Sequence, residues 1–174
     1  MRLNQLLFKA FYLTLMITAQ IALSFLMNVT VITALLLIHL KCEGLKATLF
    51  VSFVYSLLMG IIYGFGFWVI GYFYIYPLII FLLTLALKIS ERPLILSLFG
   101  FITAFVFGFF FSIQDSMIYQ IPFYIYYLRG LPFDLIHGLS NFFSIWVLYP
   151  LLVPLINSHQ TIDKTHAYNN LKRM

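Results

Sequence analysis

Long apolar stretches alternate with short clusters of charged residues along the whole chain. Four stretches of 31, 41, 22 and 28 residues carry no Asp, Glu, Lys or Arg, at positions 10–40, 47–87, 93–114 and 135–162. An α-helix needs about 20 apolar residues to cross the hydrocarbon core of a bilayer, so the 22-residue and 28-residue stretches each predict one span. The 41-residue stretch predicts two spans, because Gly64 and Gly66 near its middle indicate a turn.

The first stretch is ambiguous, because 31 residues are long for one span and short for two. Asn28 and Thr30 interrupt it with side chains that favour a break over a continued helix. The positions of Lys and Arg decide the count, because cytoplasmic loops carry an excess of them. With six spans and both termini cytoplasmic, nine of the ten basic residues lie inside and Arg129 alone lies outside. The predicted spans are 6–27, 29–41, 46–63, 67–88, 93–114 and 132–156.

The composition restricts the class of protein further. Of 174 residues, 63% are hydrophobic and only 9% are charged, and the mean hydropathy is +1.03. Roughly a quarter of the residues in a soluble domain are charged, so a soluble enzyme or binding module is excluded. The ten basic residues are too scattered to form a nucleic-acid interface, and the single Cys42 cannot form an internal disulfide. We expect an all-α integral membrane protein, with a transmembrane domain over 1–157 and a cytosolic basic tail over 158–174.

Three charged residues flank the predicted outer connection between spans five and six, namely Asp115, Arg129 and Asp134. The connection, 116–130, is rich in tyrosine and too short to span. It is expected to lie in the outer interface or to fold over the bundle. The alternative is an aromatic belt, in which the tyrosines anchor at the level of the lipid headgroups.

Polar residues also recur at the start of the sixth span. Asp134, His137 and Asn141 are three and four residues apart, so they lie on one face of a helix. Such a face must meet protein or a water-filled cavity, because an unpaired polar group in lipid costs several kcal/mol. The pattern predicts either a hydrogen-bonded lock between helices or the wall of a ligand pocket.

Aromatic and amide side chains are predicted at the same depth. Aromatic residues recur every four positions at the start of span four, a pattern that packing alone also produces, and amide groups end spans one and five on that side. Rings stack on a flat ligand while polar groups bind its edge, and few basic residues face outside to hold an anion. A neutral or weakly basic heteroaromatic ring, of the pyridoxine or hydroxymethylpyrimidine kind, fits best. The predicted substrate-binding residues are Trp68, Tyr72, Tyr76, Gln114, Asp115, Arg129, Asp134, His137 and Asn141.

The length, the six predicted spans and one run of span six resemble a known family. The run is Gly130-Leu131-Pro132-Phe133-Asp134-Leu135-Ile136-His137-Gly138-Leu139-Ser140-Asn141. It is similar to the substrate-binding S components of the energy-coupling factor (ECF) vitamin transporters of bacteria. The resemblance implies a six-helix protein of the bacterial cell membrane that captures a vitamin at its outer face. It also implies association with a transmembrane scaffold (T) subunit and, through the complex, with two cytosolic ABC-type ATPase subunits.

The resemblance further implies a docking face of small residues on the first helix. Small side chains four residues apart allow two helices to approach closely in a membrane. The alternative is ordinary packing within the chain. The predicted docking residues are Ala10, Thr14, Thr18, Ala19 and Ala22.

The alternative functions are a small integral membrane enzyme and a small assembly subunit. Only His137 is near intramembrane carboxylates, and the sequence has no His-x3-His or Glu-x2-His spacing for a metal. Ser140 lies beside His137, but no oxyanion hole is identifiable for a serine nucleophile. An assembly subunit would not explain the clustered outer polar groups. We therefore expect a binding subunit without catalytic residues, metal or cofactor, and any ATP hydrolysis must come from a partner because no phosphate-binding loop is present.

Overall fold

A computed structural model describes residues 3–171, with side chains placed for residues 6–158. The described chain forms six α-helices and no strand, which confirms the all-helical fold class for this part of the protein. Five of the six, all except α2, are long and apolar enough to cross a membrane. The helices are α1 Leu3–Leu23, α2 Ile32–Glu43, α3 Leu45–Tyr63, α4 Phe67–Ile89, α5 Pro93–Tyr119 and α6 Phe123–Leu171.

Two of the predicted breaks between helices occur where the backbone leaves the right-handed helical region. Gly64 ends α3 with a φ of 88°, a conformation that glycine adopts without steric cost. Asn28 lies in the connection between α1 and α2 with a φ of 58°, which asparagine tolerates better than most residues. The first helix therefore ends at Leu23, before the predicted limit of 27, and residues 24–31 form a separate connection.

Helix α2 lies in the centre of the bundle. Every residue from Ile32 to Leu40 is buried, and α2 packs against α1, α3, α4 and α6. A helix that is apolar on all sides is typical of a protein core. Its 12 residues extend about 18 Å, at about 1.5 Å per residue. The predicted span 29–41 is thus a short core helix surrounded by the long ones.

The predicted limits of the last two helices are wrong. Helix α5 continues through Asp115 to Tyr119, and α6 begins at Phe123, directly after Pro122. The predicted outer connection 116–130 is therefore helical except for residues 120–122. Charged residues do not mark the ends of these helices, because a helix continues through them where they reach the interface or a protein contact.

Pro132 also lies in a different place from the predicted one, because it is inside α6 rather than in its first turn. The proline at the start of α6 is instead Pro122, which directly precedes the helix. The carbonyl of Pro122 accepts the N–H of Ile125. The backbone of α6 remains helical over 49 residues, which extend about 73 Å at about 1.5 Å per residue. It is therefore much longer than the predicted span 132–156.

Helices α5 and α6 approach each other closely at glycine residues. A Cβ atom on Gly100 would overlap the side chain of Ile145, and one on Gly108 would overlap the carboxyl group of Asp134. Small residues at a helix crossing allow this approach inside a membrane. The two glycines thereby fix which face of α6 turns toward the interior of the bundle.

Candidate functional site

A cavity of about 360 Å³ lies at the end of the bundle where α1, α2, α3 and α4 meet. Its volume is within the range of small-molecule sites. The connection 24–31, the end of α3 and the start of α4 form its rim, while α5 and α6 each contribute one residue. The lining residues are Gln20, Leu23, Ser24, Leu26, Met27, Asn28, Val29, Thr30, Ile32, Thr33, Met59, Tyr63, Trp68, Tyr72, Tyr76, Phe107 and His137.

The aromatic face predicted at the start of α4 lines this cavity. The ring centroids of Trp68 and Tyr72 are 5.1 Å apart, and those of Tyr72 and Tyr76 are 4.8 Å apart, both edge to face. Phe107 of α5 lies 6.0 Å from Tyr72, and His137 of α6 packs edge-on against Phe107 at 5.4 Å. Rings four residues apart on one helix, joined by rings from two neighbours, form one continuous aromatic surface.

The connection between α1 and α2 forms the hydrogen-bonding side of the cavity. The backbone N–H of Thr30 donates to Ser140 Oγ at 2.9 Å, and the Ser140 hydroxyl donates to the Thr30 carbonyl at 2.7 Å. The Thr30 hydroxyl donates to Gln20 Oε1 at 3.4 Å and accepts the N–H of Ile32 at 3.2 Å. Thr30 therefore ties the connection to α6, to α1 and to the start of α2.

The three polar residues predicted on one face of α6, Asp134, His137 and Asn141, lie in two different environments, the cavity and the contact with α5. His137 lines the cavity. Asn141 is fully buried, and its Nδ2 donates to the carbonyl of Gly100 on α5 at 3.1 Å. Asp134 is buried against Gly108. Asp134 Oδ2 and Asn141 Oδ1 have no hydrogen-bond partner among the described residues.

The structure does not bring Gln114, Asp115 or Arg129 into the lining of the cavity. Gln114 instead holds the start of α4, because its Nε2 donates to the Phe67 carbonyl and its Oε1 accepts the Tyr74 hydroxyl, each at 3.0 Å. Asp115 is half-buried and Arg129 is exposed. The longer α5 and α6 place these residues on helices rather than on a loop above the cavity.

The predicted docking residues are on the outer face of α1. Ala10, Thr14, Thr18 and Ala22 are exposed, whereas Ala19 is half-buried. The Thr14 hydroxyl donates to the Ala10 carbonyl at 2.9 Å, so its polar group is paired within its own helix. The row of four therefore lies on the outer surface of the described part of the chain.

Thirteen of the seventeen lining residues were not among the predicted site residues, and Gln20, Met59, Tyr63 and Phe107 illustrate why. Gln20 is an amide within an apolar helix, and this was a signal that could have identified it. Met59 and Tyr63 are four residues apart at the end of α3, a spacing that core residues share. Phe107 lies in a run of phenylalanines, so nothing in the sequence distinguishes it from its neighbours.

The chain matches no family model, no curated protein and no solved structure. Within residues 6–158, no three His, Cys, Asp or Glu side chains lie close enough together to hold a metal ion. The lining of the cavity combines aromatic rings, amides, hydroxyls and one imidazole with the apolar side chains of Leu23, Leu26, Met27, Val29, Ile32 and Met59.

Proposed function

We propose that this protein is the substrate-binding membrane subunit of an ECF-type vitamin importer in the bacterial cell membrane. It captures a small heteroaromatic vitamin or precursor, of the hydroxymethylpyrimidine or pyridoxine class, at the outer face. The observation that carries the proposal is the cavity, in which a continuous aromatic surface and a hydrogen-bonding segment meet at one end of an apolar bundle. Sites of this composition bind flat, polar-edged molecules.

The arrangement of the helices supports six spans with both termini cytoplasmic. Helix α2 begins at the cavity and ends at Glu43, and the ammonium group of Lys41 in its last turn pairs with Glu91 between α4 and α5. Lys46 at the start of α3 and Arg92 just before α5 lie close to this pair in the chain, so basic residues gather at the end of the bundle away from the cavity. This is the distribution expected of the cytoplasmic side. Helix α2 is covered by its neighbours, so its length need not match the thickness of the bilayer.

The outer face of α1 supports association with a scaffold subunit. A row of exposed small residues, one helical turn apart, offers a surface against which a second transmembrane helix can pack. We propose that the transmembrane T subunit packs here and connects the chain to two cytosolic ABC-type ATPase subunits.

This proposal can be tested with the purified chain in the absence of any partner subunit. Small molecules that copurify with it are to be released and identified by mass spectrometry, and the same compounds are to be added back while the tryptophan fluorescence is recorded. We expect one bound molecule per chain and quenching of Trp68, which lines the cavity. Conversion of the compound by the isolated chain would contradict the proposal and would favour a membrane enzyme.

A further inference from the structure

The cavity has two kinds of wall. Helices α4, α5 and α6 supply an aromatic wall, in which Tyr72 contacts Trp68 edge to face and Phe107 at a tilt. The other wall comes from the end of α1, the connection 24–31 and the start of α2. Its hydrogen-bonding side chains are Gln20, Ser24, Asn28, Thr30 and Thr33. A planar ring with polar substituents matches this division, because the ring can stack on one wall while its substituents bind the other.

Formal charge is missing from both walls. None of the described residues that line the cavity is an Asp, Glu, Lys or Arg. His137 is the lining side chain whose residue type titrates near neutral pH. An ion that leaves water for a site without a countercharge loses hydration that the site does not replace.

The charged residues that are closest in sequence to the lining residues of α5 and α6 do not line the cavity. Asp134 lies one turn before His137 on α6, but its carboxyl group packs against Gly108 of α5. Asp115 and Arg129, on either side of the α5–α6 turn, are outside the lining. The electrostatic character of the site therefore comes from neutral dipoles.

We propose that the cargo of this cavity is an uncharged planar heteroaromatic ring that carries hydroxyl or amino substituents, and that ionic derivatives of the same ring are rejected. This inference rests on the proposed function, because it specifies the substrate of the same cavity. The ring lies against Tyr72 and its neighbours, and its substituents face the amides and hydroxyls of the α1–α2 segment. A phosphate ester or an N-alkylated cation finds no counterion there.

Fluorescence titration of a Trp146→Phe variant tests the inference, because Trp68 is then the one remaining tryptophan. Two neutral compounds, pyridoxine and hydroxymethylpyrimidine, are each compared with their phosphate esters. The N-methyl cation of 3-O-methylpyridoxine, compared with neutral 3-O-methylpyridoxine, tests positive charge, because no phenol proton remains to be lost, and the acetate esters control for bulk. We expect at least one neutral ring and its acetate ester to bind, with the ionic forms at least 100-fold weaker. An ionic form that binds as tightly as its neutral parent overturns this inference and leaves the proposed function intact. Failure of every compound in both series overturns both.

A matched pair of serine substitutions tests the physical cause. Ser24 and Ser158 are both exposed, and each hydroxyl donates to a carbonyl three residues earlier, at 2.7 and 2.8 Å. Only Ser24 lines the cavity. We expect Ser24→Lys to raise the affinity for the phosphate ester at least tenfold, because it supplies a countercharge, and Ser158→Lys to leave it unchanged. Equal affinities in the two variants would show that the missing countercharge is not the basis of selection.

Discussion

Thr30 and Ser140 are 110 residues apart in the chain and are joined by two hydrogen bonds. Ser140 lies one turn after His137, so the helix that presents the imidazole to the cavity also holds the connection between α1 and α2 in place. One residue of α6 therefore sets the distance between the aromatic wall and the hydrogen-bonding wall.

Replacing Ser140 with Ala should weaken ligand binding. The substitution removes both bonds to Thr30, each worth about 1 kcal/mol, and releases the connection from α6. We expect the dissociation constant to rise about tenfold in a fluorescence titration. Ser144→Ala is the control, because the Ser144 hydroxyl donates within its own helix, to the Asn141 carbonyl. Equal effects of the two substitutions would exclude a role for the Thr30–Ser140 pair.

Replacing His137 with Ala should reduce affinity at least tenfold while the protein remains as stable as the wild type. The imidazole lines the cavity and packs edge-on against Phe107, so its removal takes away a ligand contact at the cavity wall. Titration and thermal unfolding in detergent measure the two effects. An unchanged affinity would refute the contact.

Replacing Asn141 with Ala should reduce the stability of the protein more than its affinity for the ligand. Its amide is fully buried between α5 and α6 and donates to the Gly100 carbonyl, which also accepts the Thr103 hydroxyl, so the substitution removes the bond between the two helices and leaves a void in their contact. We expect a loss of about 1–3 kcal/mol in stability. Binding per folded molecule should change less than in His137→Ala. Loss of binding at unchanged stability would show that Asn141 contacts the ligand directly.

Replacing Gly108 with Ala should destabilise the α5–α6 contact by about 1–3 kcal/mol, because the added methyl group overlaps the Asp134 carboxyl group. Gly130→Ala is the matched control, since its Cβ would lie 4.0 Å from Asp134 Oδ2, an ordinary contact distance. Thermal unfolding distinguishes the two. Adding Asp134→Ala should restore stability to the Gly108→Ala variant, and a failure of this rescue would place the strain elsewhere.

Replacing Ala22 with Trp should impair assembly with the scaffold subunit without affecting binding by the isolated chain. Ala22 is exposed on the outer face of α1, and a bulky side chain there prevents close approach of a second helix. Copurification of the complex measures assembly. Leu98→Trp, on an exposed face of α5, is the control. Normal assembly of the Ala22 variant would exclude this face as the docking surface.

The parts of the site that were predictable from the sequence depend on local spacing. Trp68, Tyr72 and Tyr76 are four residues apart on one helix, so a single helical period places them on one face. The positions of Asp115 and Arg129 depend on where α5 ends and α6 begins, and charge alone does not mark those ends. The Thr30–Ser140 pair joins distant segments, so no local pattern reveals it.

Native mass spectrometry of the purified chain tests most directly whether the cavity is a ligand site. Wild-type protein should carry one small molecule per chain, and so should a Phe81→Ala variant, which changes an exposed residue of α4 outside the cavity. A Tyr72→Leu variant, which interrupts the aromatic wall, should lose the bound molecule. Wild-type chain that carries no molecule and binds none when offered, or equal occupancy in all three proteins, would contradict the account.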